Sequence, residues 1–137
     1  MSNLEQHKSA LPFSHAVQRV RTWEDRHLPL SQSRIAFDLF MLIASSAETR
    51  RPLTLKEIFN SLRYSERGIR YVLDQFIDGG WCNINEHGSD KRFRLVVASE
   101  LMMTKLKDYE AHVLATYATW TQKDQYSFVL DESESTL

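Results

Sequence analysis

Between residues 53 and 97, two short apolar stripes at helical spacing, only a few residues apart, are followed by two stretches alternating with a period of two. That succession of periods restricts the fold more than anything else in the chain. Thr54 is a good helix N-cap, and Glu57 three residues later completes a capping box. Leu55, Ile58, Phe59 and Leu62 then recur at i, i+3, i+4 and i+7, giving one apolar face. Arg63-Tyr64 leaves little room for a loop before Ser65, which can cap a second helix. There Ile69, Val72, Leu73, Phe76 and Ile77 form one stripe, and Gly79-Gly80 supplies a stop. The other face carries Arg67, Tyr71, Asp74 and Asp78, with Arg70 on its flank.

Two short helices joined by a tight turn match a helix-turn-helix, whose second helix lies in the DNA major groove. They equally match a plain αα-hairpin with solvated arginines. The residues that follow separate the two. Cys82 and Ile84 alternate with Asn83 and Asn85, and Phe93, Leu95 and Val97 alternate with Arg92, Arg94 and Val96. Each strand therefore has one apolar and one mostly polar face. Glu86-His87-Gly88-Ser89-Asp90 makes the bend. A hairpin directly after a recognition helix is the wing of a winged helix, with Lys91 and Arg92 at its tip and Arg94 nearby.

The flanks supply the remaining elements. Phe13, Val17, Val20, Trp23 and His27 keep helical spacing until Pro29 ends the helix. Ser31 is the expected cap of a helix over 35–46, apolar almost all round apart from Asp38 and so expected to be buried. After the wing, Met102, Leu106, Tyr109, Val113, Tyr117 and Trp120 form a stripe along a helix of about 100–122. Such a helix outruns a winged-helix core. Its far half calls for a second protomer or for the chain's own first helix. The expected fold is mainly α (α+β): a winged helix-turn-helix core with a two-stranded wing and long terminal dimerisation helices. One domain spans 12–126, with the helix-turn-helix at 54–79, the wing at 81–97 and terminal helices at about 13–28 and 100–122. Residues 1–11 read as a flexible N-terminus and 127–137 as an acidic, disordered tail.

At 137 residues the chain is long enough for a real core. No apolar run approaches the roughly 20 residues of a membrane span, and the first residues lack a signal peptide's apolar core. One cysteine excludes an internal disulfide framework, so a cytoplasmic protein is expected. A net charge of −1 argues against non-specific coating of nucleic acid. Its distribution says more. Residues 50–94 hold nine basic against six acidic residues, net +3, whereas residues 95–137 hold three against seven, net −4. Positive potential thus gathers on the helix-turn-helix and wing, where phosphate contact needs it.

The five histidines are scattered, without zinc-ligand spacing, so neither a metal nor a cofactor is expected. There is no Gly-rich phosphate loop and no nucleophile elbow or acid/base pair, so an enzyme is not expected. Cys82 has two readings: a small buried hydrophobe, or an exposed reactive thiol.

The order helix-turn-helix, Gly-Trp, strand, Asp90-Lys91-Arg92, strand, then Ser99-Glu100-Leu101 opening a long helix resembles the MarR family of bacterial winged-helix regulators. The resemblance covers roughly 13–120, and its most specific part is the wing Asp-x-Arg, here Asp90 and Arg92. It implies a homodimeric transcription regulator, with Arg92 in the minor groove and Asp90 anchoring the wing. It also implies a small aromatic effector as a further partner, and in some relatives an oxidant-sensing cysteine. On double-stranded DNA, Ser65 would hold phosphate, Arg67 and Arg70 would read base edges, Tyr71 would add a phosphate or thymine contact, and Lys91, Arg92 and Arg94 would serve the wing. Met102, Leu106, Tyr109, Val113, Tyr117 and Trp120 would form the dimer interface. The alternative is a winged helix used as a protein-interaction module without DNA binding. Glu66, Asp74 and Asp78 on the recognition helix favour that alternative, and the local +3 with Asp90-x-Arg92 opposes it.

Overall fold

The computed structural model describes residues 11–30, 33–86 and 93–121. In order these form α1 (Phe13–His27), α2 (Arg34–Glu48), β1 (Leu53–Thr54), α3 (Leu55–Ser61), α4 (Glu66–Asp78), β2 (Cys82–Glu86), β3 (Arg94–Ala98) and α5 (Glu100–Thr121). The architecture is mainly α with a small antiparallel sheet, a winged helix-turn-helix. The chain divides into two compact units, one running from His27 to Lys107 and the other formed by the segments on either side.

The core of the first unit draws on six elements. Leu39, Phe40 and Ile43 of α2, Ile58 of α3, Ile69 and Phe76 of α4, Cys82 of β2, Val96 of β3 and Met102 of α5 are all buried. Phe40 is at its centre, edge-on to Phe76 at 6.2 Å and to Trp81 at 5.9 Å between ring centroids. Two expectations for α2 are corrected. Its cap is Ser33 rather than Ser31, with the Ser33 hydroxyl accepting from the Ala36 amide at 3.3 Å, and the helix runs on to Glu48. Nor is α2 buried all round: Phe37 is 39% exposed, and Met41 and Leu42 are half-buried. One helix face suffices to meet α4 and β3, so the apolar residues beyond that face stay partly wet. Asp38 accepts a 2.5 Å hydrogen bond from the Tyr64 hydroxyl, tying α2 to the turn between α3 and α4. That bond raises the Tyr64 pKa above its ordinary value, because the ionised phenol would lose its proton donor and face a carboxylate.

Capping sets the bounds of the helix-turn-helix. The Glu57 amide donates to Thr54 Oγ1 at 3.1 Å, and the Thr54 amide donates to Glu57 Oε1 at 3.3 Å, a reciprocal box. Leu62 leaves helical geometry at φ −105, and three residues later Ser65 caps α4 by accepting from the Gly68 amide at 3.1 Å. Gly68 has a second role, since a Cβ there would stand 3.1 Å from Ile35 Cδ1. The missing side chain lets α4 lie close on α2. At the other end, Trp81 N donates to Phe76 O at 2.9 Å and Gly80 N to Ile77 O at 3.0 Å, a Schellman motif. Its left-handed residue is Gly80, at φ +80.

The sheet has the order β1-β3-β2, so the wing hairpin gains a third strand that the sequence reading omitted. Leu53 and Thr54 are too few to display alternation. The phase of β3 is also corrected. Cross-strand partners share a face, and the register pairs Cys82 with Ala98 and Ile84 with Val96. Val96 is therefore the inward residue, fully buried, while Leu95 and Val97 take the other face and Phe93 is 53% exposed. Ser99 closes the hairpin. Its amide and hydroxyl both reach Trp81 O, at 3.0 and 2.8 Å, and the same hydroxyl caps α5 by accepting from the Met102 amide at 3.2 Å.

In the second unit, α1 meets the C-terminal half of α5 through aromatic rings. Trp23 stacks on Tyr109 and on His112, each at 5.5 Å. Phe13 lies 5.3 Å from Trp120, and Ala16, Val20 and Thr116 are buried. The Tyr109 hydroxyl donates to Glu24 Oε2 at 2.6 Å. Burial first, and then this bond to a carboxylate, push the Tyr109 pKa well above the ordinary phenol value.

Candidate nucleic-acid interface

Helix α4, the second of the helix-turn-helix, has two sharply different sides. Ile69, Val72, Leu73 and Phe76 are buried, and Arg67, Arg70, Tyr71, Asp74 and Asp78 are all exposed. Tyr71 is 67% exposed, a large ring turned to solvent on a helix whose other side is packed. Charge is graded along this face. Arg67 and Arg70 lie in the N-terminal half, together with Glu66, and both aspartates lie in the C-terminal half.

The two arginines differ in setting. Arg70 reaches back to Glu66 on the first turn, with Nη2 at 3.2 Å and Nε at 3.3 Å from Oε1. Its guanidinium also lies 5.0 Å above the Phe59 ring of α3, so it is held from both helices. Among the described residues no carboxylate pairs with Arg67. On the wing, Arg94 and Glu86 are cross-strand partners, with Arg94 Nε 3.6 Å from Glu86 Oε1. The wing-tip residues Asp90, Lys91 and Arg92 lie outside the described residues.

The contacts of Arg70 with Glu66 and Phe59 were not among the sequence expectations. The i, i+4 spacing of Glu66 and Arg70 was the available signal.

The stripe assigned to dimerisation divides. Met102 is fully buried in the winged-helix core and has no surface to offer a partner, which corrects its assignment. Leu106, Tyr109, Val113, Tyr117 and Trp120 are half-buried, and Tyr109 and Trp120 already contact α1 of the same chain. Leu114, outside the stripe, is 62% exposed.

Cys82 opens β2 with no exposed surface, and burial pushes its thiol up to about 11. The unfolded chain, with a thiol pKa of about 8.5, loses this proton first as pH rises. The buried neutral thiol therefore contributes stability that is complete below about pH 8.5 and is lost as pH climbs towards 11. Urea unfolding between pH 7 and 10.5 should show the stability gap between wild type and Cys82→Ala flat at the acid end and narrowing above pH 9. A gap independent of pH throughout would mean that the thiol ionises freely in the folded protein.

No family model and no curated relative matches the sequence. Solved structures do match. The reduced form of MarR from E. coli superposes with a TM-score of 0.55 at 19% identity, over 92% of this chain and 96% of that one. The transcriptional regulator Tm0710 from Thermotoga maritima gives 0.64 at 13% identity, over 88% and 82%. The heme sensor protein PefR from Streptococcus agalactiae, in complex with heme, gives 0.57 at 15% identity, over 88% and 84%. The fold is thus one shared with solved transcriptional regulators. It is a MarR-like winged helix-turn-helix fold.

Proposed function

We propose that this chain is a sequence-specific, double-stranded-DNA-binding transcriptional regulator that acts as a homodimer on a pseudo-palindromic operator. The observation that carries the reading is the exposed face of α4. A helix seated rigidly by four buried residues presents Arg67, Arg70 and Tyr71 on its leading turns. Ser65 and the amides at that helix start serve the phosphate backbone, and Lys91, Arg92 and Arg94 serve the wing. Asp90 anchors the wing. Leu106, Val113 and Tyr117, with the exposed Leu114, supply apolar surface for a second protomer. A small aromatic effector modulates the dimer, in keeping with a structural neighbour that is itself a heme sensor.

Two measurements test this. Sedimentation at micromolar concentration should give about twice the 16.0 kDa of the chain. Titration of duplex DNA from the protein's own promoter should show tight, salt-dependent binding, with log K falling against log salt by about 0.9 per phosphate contact. A monomer that ignores duplex DNA at every salt concentration would leave the interaction-module reading in its place.

A further inference from the structure

We infer that Glu66 is a base-reading residue, and that Glu66 and Arg70 act as one salt-bridged unit that recognises a G·C pair in the major groove. The inference rests on the DNA-binding reading and deepens it. Both side chains are more than half exposed, at 61% for Glu66 and 55% for Arg70, and both lie on the leading half of α4. Arg70 approaches Glu66 side-on, spending Nε and Nη2 on Oε1. A guanidinium has five N–H donors, so its far edge keeps three. The carboxylate's second oxygen, Oε2, takes no part in these bonds. Phe59 supports the guanidinium from the α3 side at 5.0 Å, which limits the directions the far edge can point.

The pair therefore presents donors next to an acceptor on a fixed frame. The major-groove edge of a G·C pair offers the complement: N7 and O6 acceptors on guanine beside the N4 amino donor of cytosine. Arg70 meets the guanine, and Glu66 accepts from the cytosine. An A·T pair breaks the match, because adenine N6 is a donor facing the guanidinium and thymine offers an acceptor facing the carboxylate. As a purely local feature, an exposed i, i+4 pair contributes only roughly 0.3–0.5 kcal/mol to the helix. That is little reason to place a carboxylate where phosphates must approach. A role in discrimination accounts for its position at the leading end.

The test is selection from a randomised duplex library with the full chain, followed by binding of wild type, Glu66→Gln and Glu66→Ala to the selected site and its single-base variants. For wild type, changing the contacted G·C pair should weaken binding about 5- to 150-fold, the range of one good base contact. Glutamine pairs with adenine N6 and N7. Glu66→Gln should therefore move the preference at that position from G·C to T·A, with adenine in cytosine's place and thymine O4 accepting from Arg70. Glu66→Ala should lose the part of that preference carried by the cytosine while strengthening binding evenly elsewhere, since a negative charge is removed. Thermal unfolding should move little in either variant. If wild type selects a site and both variants keep its preference at every position, Glu66 is not a reader and this inference alone falls. If wild type selects no sequence at all, the DNA-binding reading falls with it.

Discussion

Phe40→Ala should lower the free energy of unfolding by about 3–5 kcal/mol, the range for truncating a buried aromatic. Phe40 has no exposed surface and meets two rings edge-on, Phe76 of α4 and Trp81 at the start of the wing. Each such geometry adds roughly 0.5–1.5 kcal/mol beyond burial. The alanine variant would lose both and leave a cavity beneath the recognition helix. Equilibrium urea unfolding of the full chain is the measurement. Leu39→Ala, at an equally buried position, should cost about 2–5 kcal/mol. Leu42→Ala should cost clearly less, because Leu42 is half-buried and its site stays open to water. A Phe40→Ala loss below about 1 kcal/mol, nearer the size of a surface change, would mean that α2 does not occupy the centre of the core.

Arg67→Ala should relax sequence preference at one position in each half-site by about 1–3 kcal/mol, the discrimination of an arginine bidentate to guanine. Arg67 is exposed on the leading half of α4, and no carboxylate among the described residues pairs with it. Arg92→Ala should behave differently in kind. A wing arginine answers minor-groove width and negative potential, so its loss should weaken binding evenly and reduce any preference for A·T-rich flanks. Dissociation constants for both variants on one operator and its single-base mutants, at several salt concentrations, separate the two roles. Should Arg67→Ala weaken all sequences equally and lower the salt slope by about 0.9, Arg67 contacts phosphate rather than a base.

The features legible in the sequence are those whose causes lie within a few residues of one another. Thr54 with Glu57, Ser65 with Gly68, and Gly79-Gly80 each make their bonds inside one helical turn, and each stands as the sequence implied. The buried stripe of α4 likewise follows from helical period alone, and with it the exposure of Arg67, Arg70 and Tyr71. The assignments that changed depend on partners far along the chain. Alternation in β3 admits two phases, and only the pairing of Ile84 with Val96 selects the one that buries Val96. β1 exists because Leu53 meets Val96, 43 positions away in the numbering, and two residues have no period of their own. Met102 and Tyr109 share one helical stripe, yet the first is consumed by the winged-helix core and the second by Trp23 and Glu24 of α1. A stripe states that a face is apolar; only tertiary packing decides what covers it. The setting of Arg70 is of both kinds. Its spacing from Glu66 is local, but the Phe59 ring beneath it belongs to another helix, so the orientation of that guanidinium was decided by how α3 and α4 cross.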